Sequence, residues 1–102
     1  VLLDTFHFHG GGSTLEDLQD TPAGQIVLVH LTDCLDFPRE QLTDLHRVFP
    51  GLGMLPLGEI RSILTGNGYQ GFYCLEVSNE EYWQGDPLTV ACAGIKAWRE
   101  LR

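Results

Sequence analysis

Asp4, His30 and Glu76 each end a short apolar run, and each lies on a face that is otherwise apolar. Leu2 and Asp4 share a face in VLLDTF; Ile26, Leu28 and His30 share one in QIVLVHL; Phe72, Cys74 and Glu76 share one in FYCLEV. Strand alternation sets these faces. A buried carboxylate costs several kcal/mol unless it is paired or metal-bound. Two carboxylates converging with a neutral imidazole therefore form an oxygen-and-nitrogen divalent-metal site, suited to Mn, Zn, Co or Fe rather than Cu(I), because no thiolate is required. Any one of the three alone can equally face solvent or cap a neighbouring helix. Recurrence at equivalent places in three runs is what favours a common site.

Other residues carry weaker signals. His7 and His9 flank Phe8 where the first run must end, and suit a ligand, a substrate contact or solvated loop positions. Arg47 is a rare cation in an acidic chain, placed just before Pro50-Gly51-Leu52-Gly53, and suits either an oxyanion contact or a solvated loop. Gly10-Gly11-Gly12 is read as a flexible turn rather than a phosphate cradle, since neither a following Lys-Ser/Thr nor GxGxxG spacing is present. Cys74 is expected to pack in the core. Tyr82-Trp83 is read as a loop anchor or a pocket wall.

The elements that would position these residues repeat three times as strand, turn and helix. Val1 to Phe8 reads as a strand, followed by a short helix opened by the capping box Ser13-Thr14-Leu15-Glu16 and running to about Asp20, with Leu15 and Leu18 buried. Thr21-Pro22-Ala23-Gly24 breaks it. Gln25 to Leu31 is apolar on both faces, as a parallel strand covered by helices should be. An irregular stretch from Thr32 to Pro56 follows, of a length that in a compact domain is usually functional or disordered. Leu57, Ile60, Ile63 and Leu64 mark a helix stopped by Gly66-Asn67-Gly68. Phe72 to Val77 is the third strand. Asp86-Pro87 opens a last helix expected to bury Leu88, Ala91, Ile95 and Trp98. The order β-α-β-loop-α-β-α means an α/β fold with a parallel sheet and right-handed crossovers. Spacing alone allows a small open sheet or an arc of a (β/α)8 barrel. In either, the carboxyl ends of the strands are where a site forms.

Composition narrows the partners. The 102 residues are 43% hydrophobic, and six Lys+Arg against fourteen Asp+Glu give a net charge of −8. That balance suits one soluble globular domain and argues against nucleic acid or an anionic membrane surface. Three cysteines in no CxxC pair argue against a disulfide framework or structural zinc site and suit a reducing cytoplasm. The chain opens on Val1 with a strand already under way, and its only Met is Met54, so it reads as a piece of something longer.

LDTFHFH, IVLVHLTD with LTDLHRVFPGLG, and GYQGFYCLEVSNEEYW resemble, in order and spacing, the C-terminal strand and loop motifs of the xylose-isomerase-like sugar-phosphate isomerase/epimerase superfamily. Within it they are most similar to the inosose (2-keto-myo-inositol) isomerases of inositol catabolism. The resemblance spans roughly Val1 to Trp98. It implies that residues 1–102 are one partial (β/α)8 TIM barrel domain, the βα units of strands six to eight. It also implies a divalent metal (Mn, Zn or Co) held by Asp4, His30 and Glu76, with a further Glu on an earlier strand. His7 and Arg47 would contact substrate, and Glu76 would act in catalysis.

The implied reaction moves a proton next to the carbonyl of a sugar or cyclitol ketone through a metal-stabilised enediolate. Such an enzyme would be cytoplasmic and binds neither nucleic acid nor membrane; a homo-oligomer is compatible with it. Two alternatives stand beside this reading. One is a metal-dependent dehydratase of the same superfamily, of dehydroshikimate or inosose type. The other is a non-catalytic barrel fragment that associates through its open sheet edges.

Overall fold

The computed structural model describes residues 1–101. In chain order it contains β1 (Leu2–Asp4), α1 (Thr5–Gly10), α2 (Leu15–Gln19), β2 (Leu28–Leu31), β3 (Asp33–Cys34), β4 (Arg47–Val48), α3 (Leu57–Gly66), β5 (Tyr73–Leu75), α4 (Glu80–Trp83) and α5 (Pro87–Glu100). The strands β1, β2 and β5 form a parallel sheet in that order, and β3 pairs antiparallel with β4. The α/β order and the parallel sheet are those that the alternating periods require.

The first strand is shorter than expected. It ends at Asp4, whose carboxylate accepts a hydrogen bond from the His7 N–H at 3.1 Å and so caps α1. Thr5 to Phe8 are therefore helical, and Phe6 turns into the core. The capping box expected at Ser13 is displaced by one residue. Thr14, not Ser13, caps α2, accepting from Asp17 N–H at 3.2 Å while the Asp17 carboxylate accepts from Thr14 N–H at 2.8 Å. Ser13-x-x-Glu16 and Thr14-x-x-Asp17 both satisfy the sequence pattern, so the pattern alone does not choose between them; Gly12, at a φ of 80°, leads into the turn that Thr14 caps.

One face of β2, Val29 and Leu31, is fully covered and packs in a core with Leu18, Leu57, Ile60 and Leu64. Each such side chain contributes about 1.5–3 kcal/mol on burial. The other face, Leu28 and His30, is only half-buried, so the expected two-sided burial is incomplete. The second strand also starts later than expected, because Gln25 closes a 3-10 turn over Ala23–Gln25. The third is trimmed to Tyr73–Leu75, leaving Phe72 exposed and Glu76 just beyond the strand end.

The stretch from Thr32 to Pro56 is ordered by the β3–β4 hairpin and two 3-10 turns. Helix α3 runs as expected, with Asn67 as its cap and Gly68 at a φ of 88°. Helix α5 also starts as expected, behind Asp86 and with Pro87 in its first turn. Its buried face is different. Leu88 is 72% and Ile95 46% exposed, Ala91 is exposed, and Trp98 is half-buried beside Tyr73. The residue pressed against the fold is Gly94, where a Cβ would meet Leu75 and Phe49. The cause is the sheet's width: β5 is an edge strand, so much of α5 overhangs it. Cys74 lies on the other face of β5, beside His30, and is exposed there, so it is not a core residue. Among the described residues no helix is long and apolar enough to cross a membrane.

Candidate functional site

The parallel register places Asp4 beside His30, and His30 beside Cys74. Both Asp4 and His30 point out of the carboxyl ends of their strands, and His30 Nδ1 lies 3.8 Å from Asp4 Oδ2. Glu76 is two residues past Cys74 on the same parity, with an exposed side chain.

Arg47 is the residue that ties these strand ends together. The hairpin brings β4 back from the long loop, and Arg47 is only 3% exposed. Its Nη1 donates to both oxygens of Asp4, at 3.3 and 3.1 Å, and to the Glu76 carbonyl at 3.1 Å. Its Nε and Nη2 each lie 3.1 Å from Asp44 Oδ1. Nη2 is 3.4 Å from His7 Nε2. The guanidinium also stacks 4.6 Å above the Phe6 ring. A buried arginine shared by two carboxylates is a fixed charge: removing one partner of such a pair typically costs about 3–5 kcal/mol.

Four of the five site residues read from the sequence are thus gathered: Asp4, His7, His30 and Arg47. Glu76 joins by its backbone only. His9 stands apart, its carbonyl accepting from Arg39 Nε at 3.1 Å. Burial, and then the Arg39 charge, hold the His9 imidazole below its ordinary pKa. Tyr82 fits both readings, stacked 4.1 Å from Phe49, accepting from the Phe49 N–H at 3.3 Å and lining a groove beside β5, which the exposed Trp83 also lines.

The sequence reading missed the residues that hold Arg47 in place. Asp44 carries a local signal, three residues before Arg47, but nothing separates it from a solvated acid. Asn79 donates from Nδ2 to the Arg47 carbonyl at 3.0 Å and caps α4 with its Oδ1. Asp33, 1% exposed, accepts from the N–H groups of Cys34, Gly51 and Leu55, each at 2.9 Å. It pins the loop after β4 to β3. Gly53 must be glycine there, since a Cβ would strike the Cys34 backbone and Asp33 Oδ1. Burial, then the Asp33 charge, push the neighbouring Cys34 thiol up, so it packs as an apolar group.

Whether these residues suit a divalent ion turns on donor chemistry. Two carboxylates and an imidazole at adjacent strand ends are donors of the right kind. Donors about 2.0–2.2 Å from one ion stand roughly 3–3.5 Å apart; the 3.8 Å between Asp4 Oδ2 and His30 Nδ1 is close to that and too long for a hydrogen bond. Among the described residues no three His, Cys, Asp or Glu side chains are gathered closely enough to hold an ion. The pair fits, and the third donor requires the exposed Glu76 side chain to turn inward.

Comparison with known proteins gives a consistent result. Residues 1–101 match the family model described as xylose isomerase-like TIM barrel. The chain is 42% identical over 84 residues to an inosose isomerase of Halalkalibacterium halodurans and 37% identical over 84 residues to one of Bacillus subtilis. Each alignment covers 82% of this chain and 30% of the relative, so the chain spans under a third of their length. A crystal structure of the IOLI protein with a binding zinc atom superposes with a TM-score of 0.91 at 33% identity, over 95% of this chain and 35% of that one. A xylose isomerase domain protein from Alicyclobacillus acidocaldarius superposes with a TM-score of 0.84 at 29% identity, over 98% of this chain and 36% of that one. The parallel βα units and the matched family model lead to one assignment: the chain belongs to the xylose isomerase-like TIM barrel family.

Proposed function

We propose that this chain supplies the strand-six to strand-eight part of a divalent-metal-dependent isomerase acting on inosose or a related cyclitol or sugar ketone. The observation that carries the reading is the cluster at the strand ends, where Asp4 and His30 stand 3.8 Å apart beside the buried Arg47. The relatives named inosose isomerase and the zinc in the IOLI structure support it.

In this reading Asp4, His30 and Glu76 hold the ion. When bound, the ion supplies Lewis-acid stabilisation of the negative charge that builds on substrate oxygen as a proton leaves the adjacent carbon. Glu76 moves that proton: its carboxylate is exposed at the strand end and free to reach a substrate carbon. Arg47 and His7 bind substrate oxygens. Arg47 is held from both edges and from below by Phe6, so little ordering remains to be done on binding. The bond from Arg47 Nη1 to the Glu76 carbonyl fixes the base's strand end relative to the substrate contact. A second carboxylate for the opposite face of the substrate lies outside this chain. The free cysteines Cys34, Cys74 and Cys92 suit a cytoplasmic setting.

Product analysis of the full-length protein with inosose in deuterated water tests the reading. It expects an isomeric ketone carrying deuterium at the carbon next to the carbonyl, lost in Glu76→Gln. A water-loss product would instead establish a dehydratase.

A further inference from the structure

We propose that the Arg47 guanidinium and a divalent cation compete for the Asp4 carboxylate, so that cation binding frees the Arg47 Nη1 N–H that Asp4 accepts while Asp44 and the Glu76 carbonyl keep the guanidinium in place. This rests on the reading that Asp4 and His30 are cation ligands.

The two oxygens of Asp4 are not equivalent. Oδ1 accepts from the His7 N–H at 3.1 Å, a backbone donor that keeps α1 capped, and more distantly from Arg47 Nη1 at 3.3 Å. Oδ2 faces only side chains, Arg47 Nη1 at 3.1 Å and His30 Nδ1 at 3.8 Å. The oxygen turned toward His30 is therefore the one that Arg47 Nη1 approaches more closely, at 3.1 Å against 3.3 Å for Oδ1. One carboxylate charge cannot balance a guanidinium and a dication at the same few ångströms, and both cations repel at that range.

Arg47 can give up this contact without becoming a stranded charge. Its far edge, Nε and Nη2, rests on Asp44 Oδ1 at 3.1 Å, and the Asp44 side chain is 63% exposed and tied to no strand end. The stack on Phe6 and the bond to the Glu76 carbonyl hold the plane of the guanidinium. Only the Nη1 bonds to Asp4 need to lengthen. The donor released is on Nη1 at the end of β5, on the same guanidinium as the Nη2 that lies 3.4 Å from His7 Nε2, and a substrate oxygen would be bound there. Substrate recognition by Arg47 thus depends on prior occupation of Asp4.

Zn(II) titration of the full-length protein tests this, followed by calorimetry and by the side-chain N–H resonances of Arg47. In the unsubstituted protein those resonances shift in step with saturation. Arg47→Met, which keeps the packing stem, binds Zn(II) about tenfold tighter or more, and Arg47→Lys, which keeps the charge without the fork, falls between. Tighter binding with unshifted Arg47 resonances overturns the proposal, because the charge then acts only at a distance. Equal affinities in all three proteins overturn it while leaving the cation site standing. Absence of Zn(II) binding in all three overturns both. If Arg47→Met lacks native circular dichroism, the resonances of the unsubstituted protein decide alone.

Discussion

Asp33 shows how much a single buried carboxylate can organise. It accepts three backbone N–H bonds from two separate segments, and the loop it fixes leads directly from Arg47. Replacing it with Ala leaves three amide donors without their acceptor, and each lost charged hydrogen bond of this kind is worth about 1.5–3 kcal/mol. Asp33→Ala is expected to lower unfolding free energy by roughly 3 kcal/mol or more in urea titration; a loss under about 1 kcal/mol would mean water replaces the carboxylate. Strand parity made Asp4 and His30 legible, because alternation and register are the same physics. It could not reveal Asp33, Asp44 or Asn79. Their roles depend on which distant backbone groups come within 3 Å of them, and no local pattern encodes that.

At the level of elements, capping decides where the helices begin. Asp86 accepts from Thr89 N–H at 3.0 Å and from Thr89 Oγ at 2.9 Å, and these bonds hold its carboxyl below the ordinary aspartate value. A carboxyl whose folded value is depressed binds its proton more readily when unfolded. Its contribution is therefore present above the ordinary value and lost as pH falls through and below it. Asp86→Asn keeps an acceptor at the cap but cannot titrate, so the acid-side loss of α5 helicity should flatten in circular dichroism; an unchanged acid limb would place the sensitivity elsewhere. Sequence signals at α5 and α3 were strong because Asp-Pro and Gly-Asn-Gly are local chemistry. The end of β1 was misread because Asp4 has two uses at once, strand-end ligand candidate and helix cap. The face of α5 was misread because periodicity reports which side is apolar, not whether anything covers it.

At the scale of the molecule, three parallel strands leave β1 and β5 as edges, and an apolar groove of about 700 Å³ opens between β5 and α5, lined by Phe49, Leu75, Tyr82 and Val90 among others. Leu88, Ile95 and Phe72 remain exposed nearby. The spans of 30% and 35% in the relatives agree with three of eight βα units. The carboxyl ends of those three strands are nevertheless complete enough to bring Asp4, His30 and Arg47 together. The most direct test of the account is equilibrium titration of the full-length protein with Zn(II) or Mn(II), repeated with Asp4→Asn, His30→Ala and Glu76→Gln. The account predicts one ion per chain, bound about tenfold or more weakly in each variant. Affinity that all three substitutions leave unchanged would contradict it.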